Sequence, residues 1–223
     1  MTLRYTLACA LLVGVPALLP LSEAAFAADQ DLSVNARLLL AARNGDKAAV
    51  DRALEAGAAA NSRNRLGETV LLTALKKNDL IMAKTMLDAG ADVNLAAVDG
   101  VTPLMAAAYA GQLDMAATLL ARGADINATD RLKKNAVTYA AGEGQTETVM
   151  LLLAKGVDPN AIYSNDLTAL MWAAGFGKTA TVKVLLDAGA RADLRDNRGK
   201  TALDMAREGR YDEVAELLQA RPP

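Results

Sequence analysis

The sequence predicts an all-α solenoid of short helix-turn-helix units, and three observations support this fold class. Glycine recurs every 33 residues along most of the chain, and two further series of residues share that spacing. Apolar residues make up 52% of the 223 residues, yet aromatic residues make up only 4%, because alanine supplies much of the apolar content. Alanine buries little area, so closely packed helices suit this composition better than one large globular core. Self-similarity at a fixed period is typical of stacked repeat architectures.

Three independent series of residues define the repeat. The first contains five equally spaced glycines: Gly57, Gly90, Gly123, Gly156 and Gly189. The second has asparagine once in place of glycine: Gly45, Asn78, Gly111, Gly144 and Gly177. The third is mostly threonine: Thr69, Thr102, Asn135, Thr168 and Thr201. Coincidence does not explain three series with one period.

Residues 99–127 show how the sequence of one unit predicts its structure. Asp99-Gly100 indicates a turn, and Thr102-Pro103 opens a short helix because threonine can cap a helix and proline fits its first position. Gly111 is expected to end this helix, and a second helix follows it up to Gly123. The residues predicted to face the core recur at helical spacing. They are Leu104, Ala107, Ala108, Met115, Ala116, Leu119 and Leu120.

With these motifs in place, the chain resembles the ankyrin repeat family. The segments GVTPLMAAAYAGQLDMAATLLARGADINA (100–128) and DLTALMWAAGFGKTATVKVLLDAGA (166–190) are similar to that family's 33-residue period and T-P-L-H-x-A motif. The resemblance implies an all-α ankyrin-repeat solenoid whose helix-turn-helix units are joined by short β-hairpin-like loops. It implies an ankyrin repeat domain at 35–221 with about six units: 35–63, 64–96, 97–129, 130–162, 163–195 and 196–221.

Several positions depart from the family pattern. Lys133 and Asp166 occupy turn positions that hold glycine in other units. The last unit is interpreted as one residue short before Gly209, and its charged second helix predicts a C-terminal cap, with the first unit as the N-terminal cap. The motif histidine, which in the family bonds backbone between repeats, is missing throughout, so those bonds must be lost or remade. Its positions are held by Leu72, Met105, Thr138, Met171 and Asp204.

The first residues predict an export signal. Residues 1–27 combine Arg4 in a short positive region, an apolar stretch from Leu7 to Leu19, and Ala25-Phe26-Ala27 as a cleavage site. We therefore expect cleavage near Ala27/Ala28, a short linker at 28–34, and a periplasmic or secreted protein without a membrane span after cleavage. Retention of the segment as a membrane anchor stays open, although its apolar stretch is shorter than the roughly 20 residues that cross a bilayer.

The composition argues against catalysis and against cofactor or metal binding. The chain has no histidine, and Cys9 is its only cysteine, so the usual zinc and haem sites and the histidine-dependent catalytic triads are excluded. The phosphate-binding pattern G-x-x-x-x-G-K-[ST] is absent. A formal net charge of −2 argues against nucleic acid as the partner. We therefore expect a non-enzymatic protein that needs no cofactor.

The resemblance implies that a partner protein binds at the hairpin tips and at the exposed side of the first helix of each unit, which we call the concave face. Exposed apolar and aromatic residues at such positions are typical of binding hot spots. Leu66 and Leu132 could instead pack on the next hairpin, and Trp172 is interpreted as a core residue. The candidate partner-binding residues are Leu66, Val98, Val101, Tyr109, Leu132, Lys134, Glu143, Tyr163, Leu167 and Phe176.

Together these features predict a monomeric, non-catalytic module for protein–protein interaction. The leading hypothesis is a periplasmic adaptor or stabilising partner of another exported protein. An alternative is an immunity or inhibitor protein that blocks a toxic or hydrolytic enzyme in the periplasm. A third hypothesis, an enzyme built on the stack, would need an acidic residue at the concave face that the sequence does not single out.

Overall fold

The computed structural model describes residues 32–220 of the chain. All the helices described below lie within residues 34–219. The predicted signal peptide and most of the predicted linker lie outside the described residues. The first described helix begins at Val34, the last residue assigned to that linker.

Within residues 32–220, twelve α-helices form six consecutive pairs, which makes this part of the chain an all-α stack of helix-turn-helix units. The first helices of the pairs are α1 (Val34–Asn44), α3 (Val70–Lys76), α5 (Pro103–Tyr109), α7 (Ala136–Glu143), α9 (Ala169–Gly175) and α11 (Ala202–Glu208). The second helices are α2 (Lys47–Glu55), α4 (Leu80–Asp88), α6 (Leu113–Ala121), α8 (Thr146–Ala154), α10 (Thr179–Asp187) and α12 (Asp212–Gln219). A 3-10 turn covers Ser164–Asp166.

The threonine series supplies the N-caps of the first helices from α3 to α11, as the sequence predicts. In each case the side-chain oxygen accepts a hydrogen bond from the backbone N–H three residues later, which satisfies one of the unpaired donors of the first turn. Asn135 with Thr138, and Thr201 with Asp204, form reciprocal capping boxes. Thr138 and Asp204 occupy the position that holds histidine in the family motif. Their side chains therefore cap the helices to which they belong.

The core runs along the stack between the two layers of helices. Each first helix packs on the first helix of the next unit, from α1 through α11, and α6, α8, α10 and α12 pack in the same sequential way. The predicted core residues of α5 and α6 are buried, except that Leu120 is only partly buried. At the histidine position, Leu72, Met105 and Met171 are buried among apolar neighbours. Packing between neighbours thus stabilises a chain in which no single unit encloses a core of its own.

Five hairpin-like loops connect the units, at 64–68, 97–101, 130–134, 163–167 and 196–200. In each loop the first N–H donates to the fifth carbonyl, and the fourth N–H donates to the first carbonyl. In the first loop both bonds, Asn64 to Glu68 and Gly67 to Asn64, are 2.9 Å long. Only one β-bridge, Arg63 with Thr69, forms within residues 32–220. These loops are therefore hairpin-like turns that do not extend into β-strands.

The fourth residue of each hairpin has a positive φ, including the two that are not glycine. Lys133 has φ 58° and Asp166 has φ 59°, as the repeat alignment predicts. The interpretation that the last unit is one residue short is wrong. Arg210, one full period after Gly177, has φ 57°, while Gly209 has φ −76°. The period therefore continues unbroken, and an arginine takes the left-handed position that glycine takes in most other units.

Candidate partner-binding surface

Three of the predicted hairpin residues are exposed. The exposed fractions are 64% for Leu66, 54% for Val98 and 63% for Leu132. The first two hairpins meet through a backbone hydrogen bond, in which the Val98 N–H donates to the Leu66 carbonyl at 2.9 Å. Because the side chains of Leu66 and Leu132 are so exposed, the alternative in which they pack on the next hairpin does not hold.

Three other candidates, by contrast, contribute to packing within the fold. Val101, Tyr163 and Leu167 are half-buried and pack against the core, so they are wrongly predicted as exposed tip residues. Val101 and Leu167 end their hairpins directly before the N-caps of α5 and α9, where the chain turns inward. The Tyr163 hydroxyl accepts a hydrogen bond from Asn135 Nδ2 at 2.8 Å, and burial raises the pKa of that hydroxyl.

A line of four aromatic side chains crosses the first helices of three successive units. Tyr109 and Phe176 at its ends are each 52% exposed, and the two rings between them are half-buried. Tyr109 meets Tyr139 edge to face with ring centroids 6.2 Å apart, and Trp172 stacks on Phe176 at 5.8 Å with an angle of 11° between the planes. Both arrangements are favourable for aromatic pairs. We call Tyr109, Tyr139, Trp172 and Phe176 the aromatic row.

The assignment of Trp172 to the core is wrong. Met171 beside it is 2% exposed, whereas Trp172 is half-buried and contributes to the surface. The repeat explains the difference, because Tyr139, one period earlier, and Met205, one period later, are also only half-buried. The indole N–H of Trp172 has no hydrogen-bond partner among the described residues.

Lys134 joins the two halves of the aromatic row. Its Nζ lies 4.7 Å from the centroid of the Tyr139 ring and 5.4 Å from the centroid of the Trp172 ring. Both distances are within the range of cation–π attraction. The ammonium group therefore sits at the middle of the row, between Tyr109 at one end and Phe176 at the other.

A buried carboxylate fixes the hairpin that carries Lys134. Asp130 is 6% exposed, and its Oδ1 accepts the N–H groups of Leu132 and Lys134, each at 2.8 Å. The Tyr139 hydroxyl donates to Oδ2 at 2.7 Å. Burial and this hydrogen bond to Asp130 raise the pKa of Tyr139, so the hydroxyl stays protonated as a donor. Hairpin and helix α7 are thus joined directly beneath the row.

The structure brings some of the predicted residues together and adds others. Tyr109, Lys134 and Phe176 share the concave face with Glu143, which is exposed at the end of α7. Sequence reasoning missed Tyr139 and misassigned Trp172. Their spacing of one full period is the signal that could have found them, because it puts two large aromatic residues at one repeat position.

Within 32–220, no helix is long and apolar enough to cross a membrane. Over the same range, no three histidine, cysteine, aspartate or glutamate side chains are grouped so that they could hold a metal ion.

Comparison with known proteins agrees with this architecture. The family model described as ankyrin repeats (three copies) matches residues 38–130 and 135–222, whereas no curated protein matches the chain. Ankyrin repeat domains are typically non-catalytic modules that bind other proteins. With a six-pair helical stack and a match over most of its length, this chain belongs to the ankyrin repeat family.

Proposed function

We propose that this protein is a periplasmic adaptor or stabilising partner that binds another exported protein through the aromatic row. The observation that carries the proposal is the row itself. Aromatic residues make up only 4% of the sequence, yet four of them lie side by side on the concave face. Large, rigid aromatic rings that are partly exposed are the side chains that most often dominate binding energy at interfaces.

The surroundings of the row support a protein as the ligand. The exposed apolar residues Leu66, Val98 and Leu132 lie on successive hairpins, so they extend the apolar surface along the stack. A long surface with separate anchor points suits a macromolecule better than a small molecule, which needs a concave pocket that encloses it. The periplasmic setting is supported by the export signal predicted in residues 1–27.

Site-specific cross-linking in cells tests this proposal. A photoreactive amino acid is placed at Tyr109 or Phe176, and at Ile81 or Met150 as controls on the second helices, where the exposed fractions are 71% and 53%. We expect an adduct with another exported protein from the first two positions and not from the controls. Adducts formed only from Ile81 and Met150 would contradict the proposed binding surface.

Alanine substitutions at the ends of the row provide a quantitative check. Tyr109→Ala and Phe176→Ala should each weaken binding of the captured partner by about tenfold or more, because anchor residues at interfaces typically contribute about 1 to 2 kcal/mol or more. Both side chains are 52% exposed, so circular dichroism should show an intact fold. If the captured partner were an enzyme that loses its activity when bound, the inhibitor hypothesis would replace the adaptor.

A further inference from the structure

We propose that the concave face between α5 and α9 binds an extended acidic segment of the partner. A carboxylate of this segment pairs with Lys134, and its neighbouring apolar side chains pack on the aromatic row. The inference rests on the proposed function and specifies the chemistry of the partner. It follows from three features of the described residues: an unpaired cation, an excess of positive charge on one hairpin, and two glycines on the adjoining surface.

Lys134 lacks the ion pair that charged residues make at the same position of other units. In the unit of α3, Glu68 ends the hairpin and pairs with Lys76, eight residues later, at 2.8 Å. In the unit of α11, Lys200 and Glu208 make the same pair with the charges exchanged. The residue eight positions after Lys134 is Gly142, which has no side chain. Among the ion pairs of residues 32–220, none includes Lys134.

The hairpin 130–134 therefore presents positive charge to a partner. Arg131 and Lys133 are exposed on it, and Lys134 lies over the two rings. The one carboxylate of this hairpin, on Asp130, is buried and already accepts two backbone N–H groups and the Tyr139 hydroxyl. A carboxylate from a partner could approach Lys134 from solvent while the rings support the ammonium from below. Such complementarity favours an acidic ligand and selects against a basic one.

Two glycines clear the surface beside the row. Gly142 and Gly175 occupy a repeat position that elsewhere holds long side chains: Arg43, Lys76, Tyr109 and Glu208. A Cβ at Gly175 would meet only Met205 Cβ at 3.8 Å, an ordinary contact, so packing does not require glycine there. At Gly142 the rings of Trp172 and Phe176 lean over the position, 3.7 to 3.9 Å from an added Cβ. The missing side chain of Gly142 thus leaves room for the two rings, and at Gly175 glycine allows the main chain of a ligand to approach closely.

The length of the row sets the length of the segment. Packed helices are about 8–10 Å apart, so the row, which crosses three first helices, spans roughly 20 Å. An extended chain advances about 3.3 Å per residue, so about six residues cover this distance. We therefore expect a short segment that is acidic near its middle, opposite Lys134, and apolar towards both ends, opposite Tyr109 and Phe176.

A selection experiment with a matched pair of variants tests the inference. Phage-displayed random dodecapeptides are selected on the full-length chain, and enriched peptides are synthesised and titrated while the emission of Trp172, the single tryptophan, is recorded. We expect enriched peptides to carry Asp or Glu between apolar residues and to change this emission. Lys134→Ala should weaken their binding about tenfold. Lys200→Ala, which removes the same charge at the same repeat position, should change it less than about twofold, because Lys200 is already paired with Glu208.

A third variant tests whether Gly175 allows a ligand to approach the surface closely. Gly175→Gln places a long neutral side chain at a position where other units carry one, so the fold should be kept and peptide binding should fall. The inference is overturned if no peptide is enriched, if the enriched peptides are neutral or basic, or if Lys134→Ala and Lys200→Ala weaken binding equally. The cross-linking experiment at Tyr109 and Phe176 reports separately, since a partner captured there without an acidic segment would leave the proposed function standing.

Discussion

At the scale of single residues, the aromatic row is joined to its hairpin through Asp130. Its carboxylate is buried beneath the hairpin 130–134 and accepts three hydrogen bonds, one of them from the Tyr139 hydroxyl. Asn64 and Asp196 accept the same two backbone N–H groups in their own hairpins. Only at Asp130 does a tyrosine of the aromatic row join this network, so one side chain links the loop to the surface.

Removal of the Tyr139 hydroxyl should therefore destabilise the fold. Tyr139→Phe leaves Asp130 Oδ2 buried without its donor, and we expect a loss of about 1–2 kcal/mol in the free energy of unfolding. Denaturant unfolding followed by circular dichroism measures this change. Tyr109→Phe is the matched control, because that residue is 52% exposed, and its change should stay within about 0.5 kcal/mol. Equal losses in the two variants would show that the hydrogen bond to Asp130 contributes nothing.

Two carboxylates of the last unit, Asp196 and Asp204, should make the stability of the fold sensitive to acid. Burial opposes ionisation of Asp196, but the Lys200 N–H and the Arg198 guanidinium outweigh it and lower its pKa below the ordinary 3.8. The backbone N–H and hydroxyl of Thr201 lower the pKa of Asp204 in the same way. A lowered native pKa stabilises the fold above the ordinary value, and this contribution is lost as the pH falls through the lowered one.

We therefore expect the free energy of unfolding to decrease below about pH 4. In Asp196→Asn this decrease should be smaller, since one of the two groups no longer titrates. Denaturant unfolding at a series of pH values between neutral and strongly acidic measures both slopes. Identical pH dependence in the variant and the parent chain would argue against a stabilising ionised Asp196.

At the scale of elements, backbone hydrogen bonds join neighbouring hairpins of the described residues, except at one place. Backbone bonds join Leu66 to Val98, Asp99 to Arg131 and Asn165 to Asn197. Within the described residues, no such bond joins the hairpins 130–134 and 163–167. In the latter hairpin both Asn165 and Asp166 are left-handed, with φ 61° and 59°, whereas in each of the other four only the fourth residue has a positive φ. The extra left-handed residue gives this tip a different backbone path from the others, so the ladder of hairpins has a gap next to Lys134 and Tyr163.

The left-handed hairpin position predicts opposite effects for two substitutions. Lys133→Gly should stabilise the fold by about 0.5–1 kcal/mol, because the left-handed conformation costs an L-residue about 1–2 kcal/mol and the greater freedom of glycine in the unfolded chain offsets part of the gain. Gly100→Ala should destabilise it by more than about 1 kcal/mol, since the new Cβ would lie 2.9 Å from Asp130 Cα. Thermal and denaturant unfolding compare the two variants. Destabilisation by Lys133→Gly would mean that the lysine side chain contributes more than its backbone strain costs.

At the scale of the whole molecule, stability is a sum of contacts between neighbouring units. α1 packs on α2 and α3, while Trp172 in α9 lies several units away. Solenoids of this kind transmit a perturbation mainly through neighbouring interfaces. Because Trp172 is the only tryptophan, its emission reports on the fifth of the six units, and circular dichroism reports on all the helices.

Two core truncations should separate these signals. Leu38 in α1 and Leu152 in α8 are both 0% exposed, and their replacement by alanine should cost about 2–5 kcal/mol locally. Leu152→Ala should lower the midpoints of both the Trp172 emission and the circular dichroism. Leu38→Ala should broaden the circular dichroism transition through early loss of the first unit and leave the Trp172 midpoint nearly unchanged. Equal shifts of the Trp172 midpoint in both variants would show that the stack unfolds as one cooperative unit.

The sequence alone determined the repeat and its division into pairs of helices. These features depend on local conformation: Thr102 caps a helix by bonding its own first turn, and Gly100 takes a φ that few other residues adopt. The same reasoning explains the errors. Arg210 takes a left-handed conformation although it is not glycine. Assigning that position to Gly209 therefore made the last unit seem one residue short.

Only the tertiary structure decided which side chains form a surface. Lys134 lies over Trp172 of the following unit, and Tyr109 likewise meets Tyr139 of the unit after its own, because neighbouring first helices stack. Their exposure depends on how far each ring extends beyond its neighbours in the stack, and local sequence does not encode that distance. For the same reason Trp172 lies at the surface while Met171, the residue before it, lies in the core.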